Sequence, residues 1–296
     1  MSWQTGVVAA YVRLTRRRAF ATPAGGRRLL ERPKGPTAPP RRLARRHHVE
    51  LRMVAGHPVY AVTAGRRAAE PGSVVYLHGG AYTSEIAPQH WSLVGELARD
   101  TGRTVHVPLY GLAPEHDALE ALAFVTAVAA GLPSDAPVHL AGDSSGGGLA
   151  LVLAQHWPHD APPLVGVTLL APWLDLAMSN PGIDEVEPHD PWLARPGLHV
   201  VADAWAGGLP REDPRVSPIR GRLEGLPPVS VHVGTRDITL PDCRLLRDRL
   251  GPGRCSYQEV PGALHVHPLL PVPEGRVARS QITAFVRGTL DGAPAH

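Results

Sequence analysis

From residue 48 onward, short β-rich runs alternate with longer stretches of helical periodicity, and few architectures accommodate that alternation. VVYL (74–77), TVHVP (104–108), VHLAG (138–142), VGVTLLA (165–171) and VSVHVG (229–234) are nearly continuous apolar runs, the pattern of strands covered on both faces, and SYQEV (256–260) supplies one more. VELRMV (49–54) and PVYAVTA (58–64) alternate in polarity, which predicts a hairpin at a half-exposed edge. Helical patterns fill residues 90–100, 117–132, 147–157, 240–250 and 274–290. The order predicts an α/β fold, a mostly parallel eight-stranded sheet with helices on both faces. Residues 176–215 break the rhythm, being rich in Pro, Asp, Gly and Trp, with one helical stretch at 197–205. An insertion there lies over the carboxyl ends of the strands, where ligands bind in such sheets.

The 296 residues suffice for one large α/β domain with an appendage, divided here into a basic arm (1–47) and a body (48–296). Residues 1–50 hold 12 basic residues against Glu31 and Glu50, a net +10, while the other 246 residues carry −7. The arm is therefore a separate electrostatic object. Its apolar start precedes its basic stretch, the reverse of a secretory signal, so no cleaved signal is expected. A helix is expected over residues 3–20, with Val7, Val8, Tyr11, Val12 and Leu14 turned to the mouth of a pocket and Arg16, Arg17 and Arg18 facing solvent. RPKGPTAPPRR (32–42) reads as an extended tether. Cap contact is the first expectation for the arm, ahead of an inert basic tail and of weak contact with an anionic membrane surface. No recognition motif or interleaved aromatic pattern accompanies the arginines, so no nucleic-acid partner is expected. No apolar run approaches the roughly 20 residues that span a bilayer. Only Cys243 and Cys255 are present, which excludes a disulfide framework and favours reduced thiols and a cytoplasmic setting. Homo-oligomerisation stays open.

The chemistry concentrates in LAGDSSGGGL (140–149), where an acid, two hydroxyls and glycines stand between two apolar elements. Gly142, Ser144 and Gly146 satisfy G-x-S-x-G, the sharp strand-to-helix turn that exposes a nucleophilic serine. Ser145 is out of register, because Asp143 stands where a glycine is needed. Chance gives about 0.13 such matches in a chain of this composition, so the position between strand and helix carries the assignment. A serine nucleophile needs donors for the oxyanion and a base for its proton. HGGAY (78–82) follows a strand, and Gly79, Gly80 and Ser145 are the candidate backbone donors, with His78 a structural histidine. The base is sought in PGALHVHPLLP (261–271), where His265 is the first choice and His267 the second. Asp237 ends a strand and is the preferred orienting acid; Asp242 begins a helix, where an acid has a capping explanation. Tyr82, Trp192 and Trp205 are the candidate substrate-contact residues.

HGGAY (78–82), YGLAPEH (110–116), GDSSGG (142–147), APWLDL (171–176), DPRVSPI (213–219), GLPPVSVHVGTRD (225–237) and PGALH (261–265) together resemble the hormone-sensitive-lipase-like family of α/β hydrolases, bacterial esterase branch. The resemblance implies an α/β-hydrolase fold with a cap built from the N-terminal arm and the 176–215 insertion. It implies a triad of Ser144, Asp237 and His265, with oxyanion donors at Gly79, Gly80 and Ser145. Three departures stand out: Ala81 replaces a third glycine, Gly111 an arginine, and Ile238 a proline that often follows the acid. The expected activity is hydrolysis of short to medium acyl esters through an acyl-enzyme, on a small-molecule ester substrate, without cofactor or metal. An amide, formamide or lactone substrate for the same triad is one alternative, and a non-catalytic small-molecule receptor is another. The thin supply of Phe and Met, three each, argues against a large greasy tunnel.

Overall fold

The structure, a computed structural model, describes residues 1–35, 37–65, 69–134 and 136–292. Eight strands form one sheet: β1 (His47–Val54), β2 (His57–Ala64), β3 (Ser73–Leu77), β4 (Thr104–Pro108), β5 (Val138–Asp143), β6 (Leu164–Leu170), β7 (Val229–Arg236) and β8 (Cys255–Leu264). Their order across the sheet is β1-β2-β4-β3-β5-β6-β7-β8. β1 and β2 form an antiparallel hairpin that joins β4 antiparallel, and every other neighbouring pair is parallel. Leu51 and Met53 of β1 are exposed, the half-covered edge that the alternating sequence predicts.

Helices described are α1 (Trp3–Thr15), α2 (Arg17–Phe20), α3 (Pro23–Glu31), α4 (Arg41–Ala44), α5 (Pro88–Thr101), α6 (Ala118–Ala130), α7 (Ser144–Gln155), α8 (Ile183–Val186), α9 (Arg195–Ala206), α10 (Leu240–Leu250) and α11 (Pro273–Leu290). The alternation along β3 divides the core in two. Val75 and Leu77 enter one cluster with α6, α7, α9 and α10, whereas Val74 and Tyr76 enter a second with α5 and α11. Continuous apolar runs are thus explained by burial on both faces.

From β3 the chain passes through α5 to β4 on one side, then returns to place β5 on the other. The connections therefore part between β3 and β5. A crevice opens outside the carboxyl ends of strands at such a switch point, and the two loops that bear the candidate chemistry leave β3 and β5 there.

Gly26 of α3 and Gly197 of α9 meet where the arm crosses the insertion. A β-carbon on Gly197 would lie 2.6 Å from Phe20 Cα, and one on Gly26 would lie 2.5 Å from the Gly197 carbonyl oxygen, so neither position has room for a side chain. The arm's first segment departs from the expected arrangement. It breaks at Arg16 into α1 and α2, and α1 buries Thr5, Ala9 and Val12. Val7, Tyr11 and Leu14 face solvent instead of a pocket mouth, because the small residues of the opposite face are the ones that fit against the body. Arg17 does not face solvent either. Its Nη1 donates to the carbonyls of Asp190 and Leu193, the latter at 2.8 Å.

Candidate active site

Ser144 opens α7 with φ at +51°, a left-handed conformation that costs a non-glycine residue of order 1–2 kcal/mol. Close packing holds it there. A β-carbon on Gly146 would lie 2.2 Å from the Leu77 carbonyl oxygen, so only glycine lets α7 start this close to the end of β3. The Ser144 carbonyl accepts the Trp173 N–H at 2.8 Å, fixing the turn from the β6 side.

Ser144 Oγ lies 2.9 Å from His265 Nε2, and His265 Nδ1 donates to both Asp237 oxygens at 3.0 Å. With Nδ1 carrying the proton, Nε2 is left to accept from the serine hydroxyl. Asp237 follows β7, is fully buried, and accepts further from the N–H and hydroxyl of Thr239 at 3.0 and 2.9 Å. Burial disfavours the His265 imidazolium, but the facing Asp237 carboxylate outweighs it and leaves the pKa above 6.5. The alternatives, Asp242 and His267, make no hydrogen bond to this group. Asp242 bonds Asn180 Nδ2 at 2.9 Å in the first turn of α10, and neither ring nitrogen of His267 has a hydrogen-bond partner among the described residues.

The candidate oxyanion donors need one correction. The Gly79 N–H donates to Asp143 Oδ1 at 2.9 Å and is not free. The loop continues through three residues with positive φ, Gly80 (+132°), Ala81 (+52°) and Tyr82 (+57°). Among the described residues the N–H groups of Gly80 and Ala81 bond no acceptor. The Ser145 N–H, in the first turn of α7, has no intrahelical acceptor and adds a third donor. His78 is structural, as its place suggests: Nδ1 bonds the Gly79 carbonyl at 2.8 Å, the ring stacks on Tyr110, and burial pushes its pKa down to about 4.

Asp143 was visible in the motif, but its work was not. The buried carboxylate also accepts from Tyr76 OH at 2.6 Å and His90 Nε2 at 3.2 Å. Burial alone would raise its pKa, yet His90 and the bonds from His90, Tyr76 and Gly79 hold it below the usual range. Asp190, in the insertion, is a second residue missed. Its Oδ1 accepts from the N–H groups of Trp192 (2.7 Å) and Leu193 (2.9 Å), and its Oδ2 accepts from Ile238 (2.9 Å), the neighbour of Asp237. The departure from proline at 238 thereby gains a use, since proline has no N–H to give. At the other departure, the His116 ring fills the space beside Gly111.

Of the three candidate substrate contacts, Tyr82 and Trp205 stack on one another with ring centroids 4.0 Å apart, both buried in the core. Trp192 is half-buried and meets His265 edge-on at 5.7 Å. Ser144 itself is only 9% exposed. Two clefts of about 440 and 520 Å³ open elsewhere on the body, one beside His106 and one beside Trp91, and Ser144 lines neither. Among the described residues no group of three or more His, Cys, Asp or Glu is arranged to hold a metal ion, and no helix is long and apolar enough to cross a membrane.

The switch-point sheet, the elbow serine and the histidine bonded to it define an α/β hydrolase of the serine-dependent kind. The family model described as alpha/beta hydrolase fold matches residues 74–269. A triacylglycerol lipase of Mycobacterium tuberculosis is 34% identical over 169 residues, which cover 55% of this chain and 34% of that longer protein. An acetyl-hydrolase of Streptomyces hygroscopicus is 32% identical over 229 residues, 73% of this chain and 75% of its own length. A solved esterase of the bacterial hormone-sensitive lipase family superposes with a TM-score of 0.77 at 25% identity, covering 98% of this chain and 99% of that one. The chain belongs to the hormone-sensitive-lipase-like family of α/β hydrolases, in the branch of bacterial esterases and lipases, and is a carboxylesterase-type hydrolase.

Proposed function

We propose that Ser144, His265 and Asp237 act as a catalytic triad that hydrolyses short to medium acyl esters. The observation that carries this is the pair of hydrogen bonds on opposite nitrogens of His265, 2.9 Å to Ser144 Oγ and 3.0 Å to Asp237. As Ser144 Oγ attacks the ester carbonyl, its proton passes to His265 Nε2, and Asp237 stabilises the imidazolium. The carbonyl oxygen becomes an oxyanion, met by the N–H groups of Gly80, Ala81 and Ser145. Collapse breaks the bond to the alcohol, which leaves with the proton from Nε2, and Ser144 remains acylated. Water, giving its proton to the same nitrogen, attacks the acyl-enzyme; collapse releases the acid and returns the proton to Ser144.

We assign the arm (1–47) and the insertion (about 176–215) to a two-part cap. The glycine crossing of α3 and α9 and the Arg17 bonds to Asp190 and Leu193 support it. Trp192 reaches the site from that cap, and the small exposure of Ser144 favours a compact acyl group. Free thiols at Cys243 and Cys255 support a cytoplasmic setting. Initial rates on p-nitrophenyl esters from acetate to palmitate test the substrate class. The reading expects a maximum below about ten carbons and a slower matched amide. A maximum at palmitate contradicts the acyl length, and a faster amide contradicts the ester.

A further inference from the structure

Helix α1 is apolar on two opposite sides, and the body covers only one. Its inner side packs Ala9 against Leu264, Leu270 and Val272, while Ser2 Oγ and Thr5 Oγ1 donate to Glu274 Oε2 at 2.8 and 3.0 Å. Its outer side carries Trp3 (76% exposed), Val7 (57%), Tyr11 (59%) and Leu14 (74%). Their spacing of four, four and three residues lines them up along a helix of 13 residues, about 20 Å long. Arg13 flanks the line, and Arg16 and Arg18 follow it, all three exposed.

We propose that the outer side of α1 docks on an anionic phospholipid bilayer, with Trp3, Val7, Tyr11 and Leu14 entering the headgroup boundary and Arg13, Arg16 and Arg18 meeting lipid phosphates. A helix with an unpartnered apolar face beside cationic residues fits that surface in both respects. Trp and Tyr have rings with one apolar body and one polar tip, suited to the interface. Charge argues against a second copy of the chain as the occupant. Pairing α1 with itself would bring like-charged arginines together, in an arm that already carries 12 basic residues against the single acid Glu31. Docking also has a direction. The inner side of α1 lies on the segment that carries His265, and Trp192 packs against both that segment and the His265 ring. A docked helix therefore holds the candidate active site next to the lipid, where apolar esters collect.

The test uses the intact chain with vesicles of phosphatidylcholine alone or with 30% phosphatidylglycerol (about 3:7). Flotation should recover protein with the anionic vesicles and little with the neutral ones, and 0.5 M salt (about a 4 Å screening length) should release it. Arg13→Gln/Arg16→Gln/Arg18→Gln should weaken binding about fivefold per arginine, about a hundredfold together. Val7→Ser/Leu14→Ser should abolish it. Hydrolysis of soluble p-nitrophenyl acetate should be unchanged in both variants, so a docking failure reads separately from a failure of the esterase assignment. Equal recovery with both vesicles, or none by the intact chain, overturns the proposal. A dimer by light scattering that Val7→Ser/Leu14→Ser converts to monomer also overturns it, in favour of a second copy.

Discussion

Gly79 donates its amide hydrogen to Asp143 Oδ1 across 2.9 Å, tying the loop after β3 to the residue that precedes Ser144. One buried carboxylate thus sets the candidate donor loop and the turn that bears Ser144 against each other. Asp143→Ala should leave the Gly79 N–H, Tyr76 OH and His90 without their acceptor, at about 1–3 kcal/mol for each group left unsatisfied. The melting temperature should fall. In Michaelis kinetics kcat should drop about 10- to 100-fold with KM nearly unchanged, because the donors matter most to the oxyanion. A wild-type kcat in a folded variant would contradict this role.

The pH profile follows from His265. As the proposed base it must be neutral to accept the Ser144 proton, and Asp237 holds its pKa above 6.5. kcat/KM should therefore rise with pH through a midpoint above about 6.5 and reach a plateau on the alkaline side. Asp237→Asn removes the charge that raises the pKa, so the midpoint should move down while kcat falls by about 10⁴. An unmoved midpoint would mean that another group sets the profile.

Asp190 gives stability an opposite slope. Burial, reinforced by the nearby Asp237 charge, pushes its carboxyl up to about 6. Unfolded Asp titrates near 3.9, so the folded chain binds this proton more tightly. The contribution of Asp190 to folding should worsen as pH rises from about 4 to about 6, then stay constant. Urea unfolding at a series of pH values should show that slope reduced in Asp190→Asn, which also detaches the Ile238 N–H from its acceptor. An identical slope in the variant would contradict the assignment.

Gly197→Val tests the joint between arm and insertion. A β-carbon there meets Phe20 Cα at 2.6 Å and the Ala19 carbonyl oxygen at 2.8 Å, so α2 and α9 must separate. The expected cost is about 1–3 kcal/mol, with faster proteolysis within residues 1–31 and an altered ester chain-length preference. Unchanged proteolysis and preference would show that the arm is not part of the cap.

The strands, the elbow and the two loops facing it were legible because each rests on a local pattern: a β-rich run, a glycine-bounded serine, a histidine between a strand and the last helix. What escaped the sequence depends on contacts between distant segments. The commitment of the Gly79 N–H to Asp143 joins residues 64 apart, and the seat of Arg17 on the Asp190 carbonyl joins residues 173 apart. Helix α1 shows the limit clearly. Its apolar residues occur on both sides, and only the small Thr5, Ala9 and Val12 side fits the body, a choice made by shape and not by hydrophobicity. Trp205 looked like a pocket residue, but its flat stack on Tyr82 places it in the core.

The most direct test of the account compares the intact chain with Ser144→Ala on p-nitrophenyl butyrate, with a fluorophosphonate probe read by mass spectrometry on both. The account predicts a single adduct on Ser144 of the intact chain, none on the variant, and a loss of kcat of about 10⁴-fold or more in a variant that melts like the parent. Retained turnover in Ser144→Ala, or an adduct on Ser145 in its place, would contradict the assignment of Ser144 as the nucleophile.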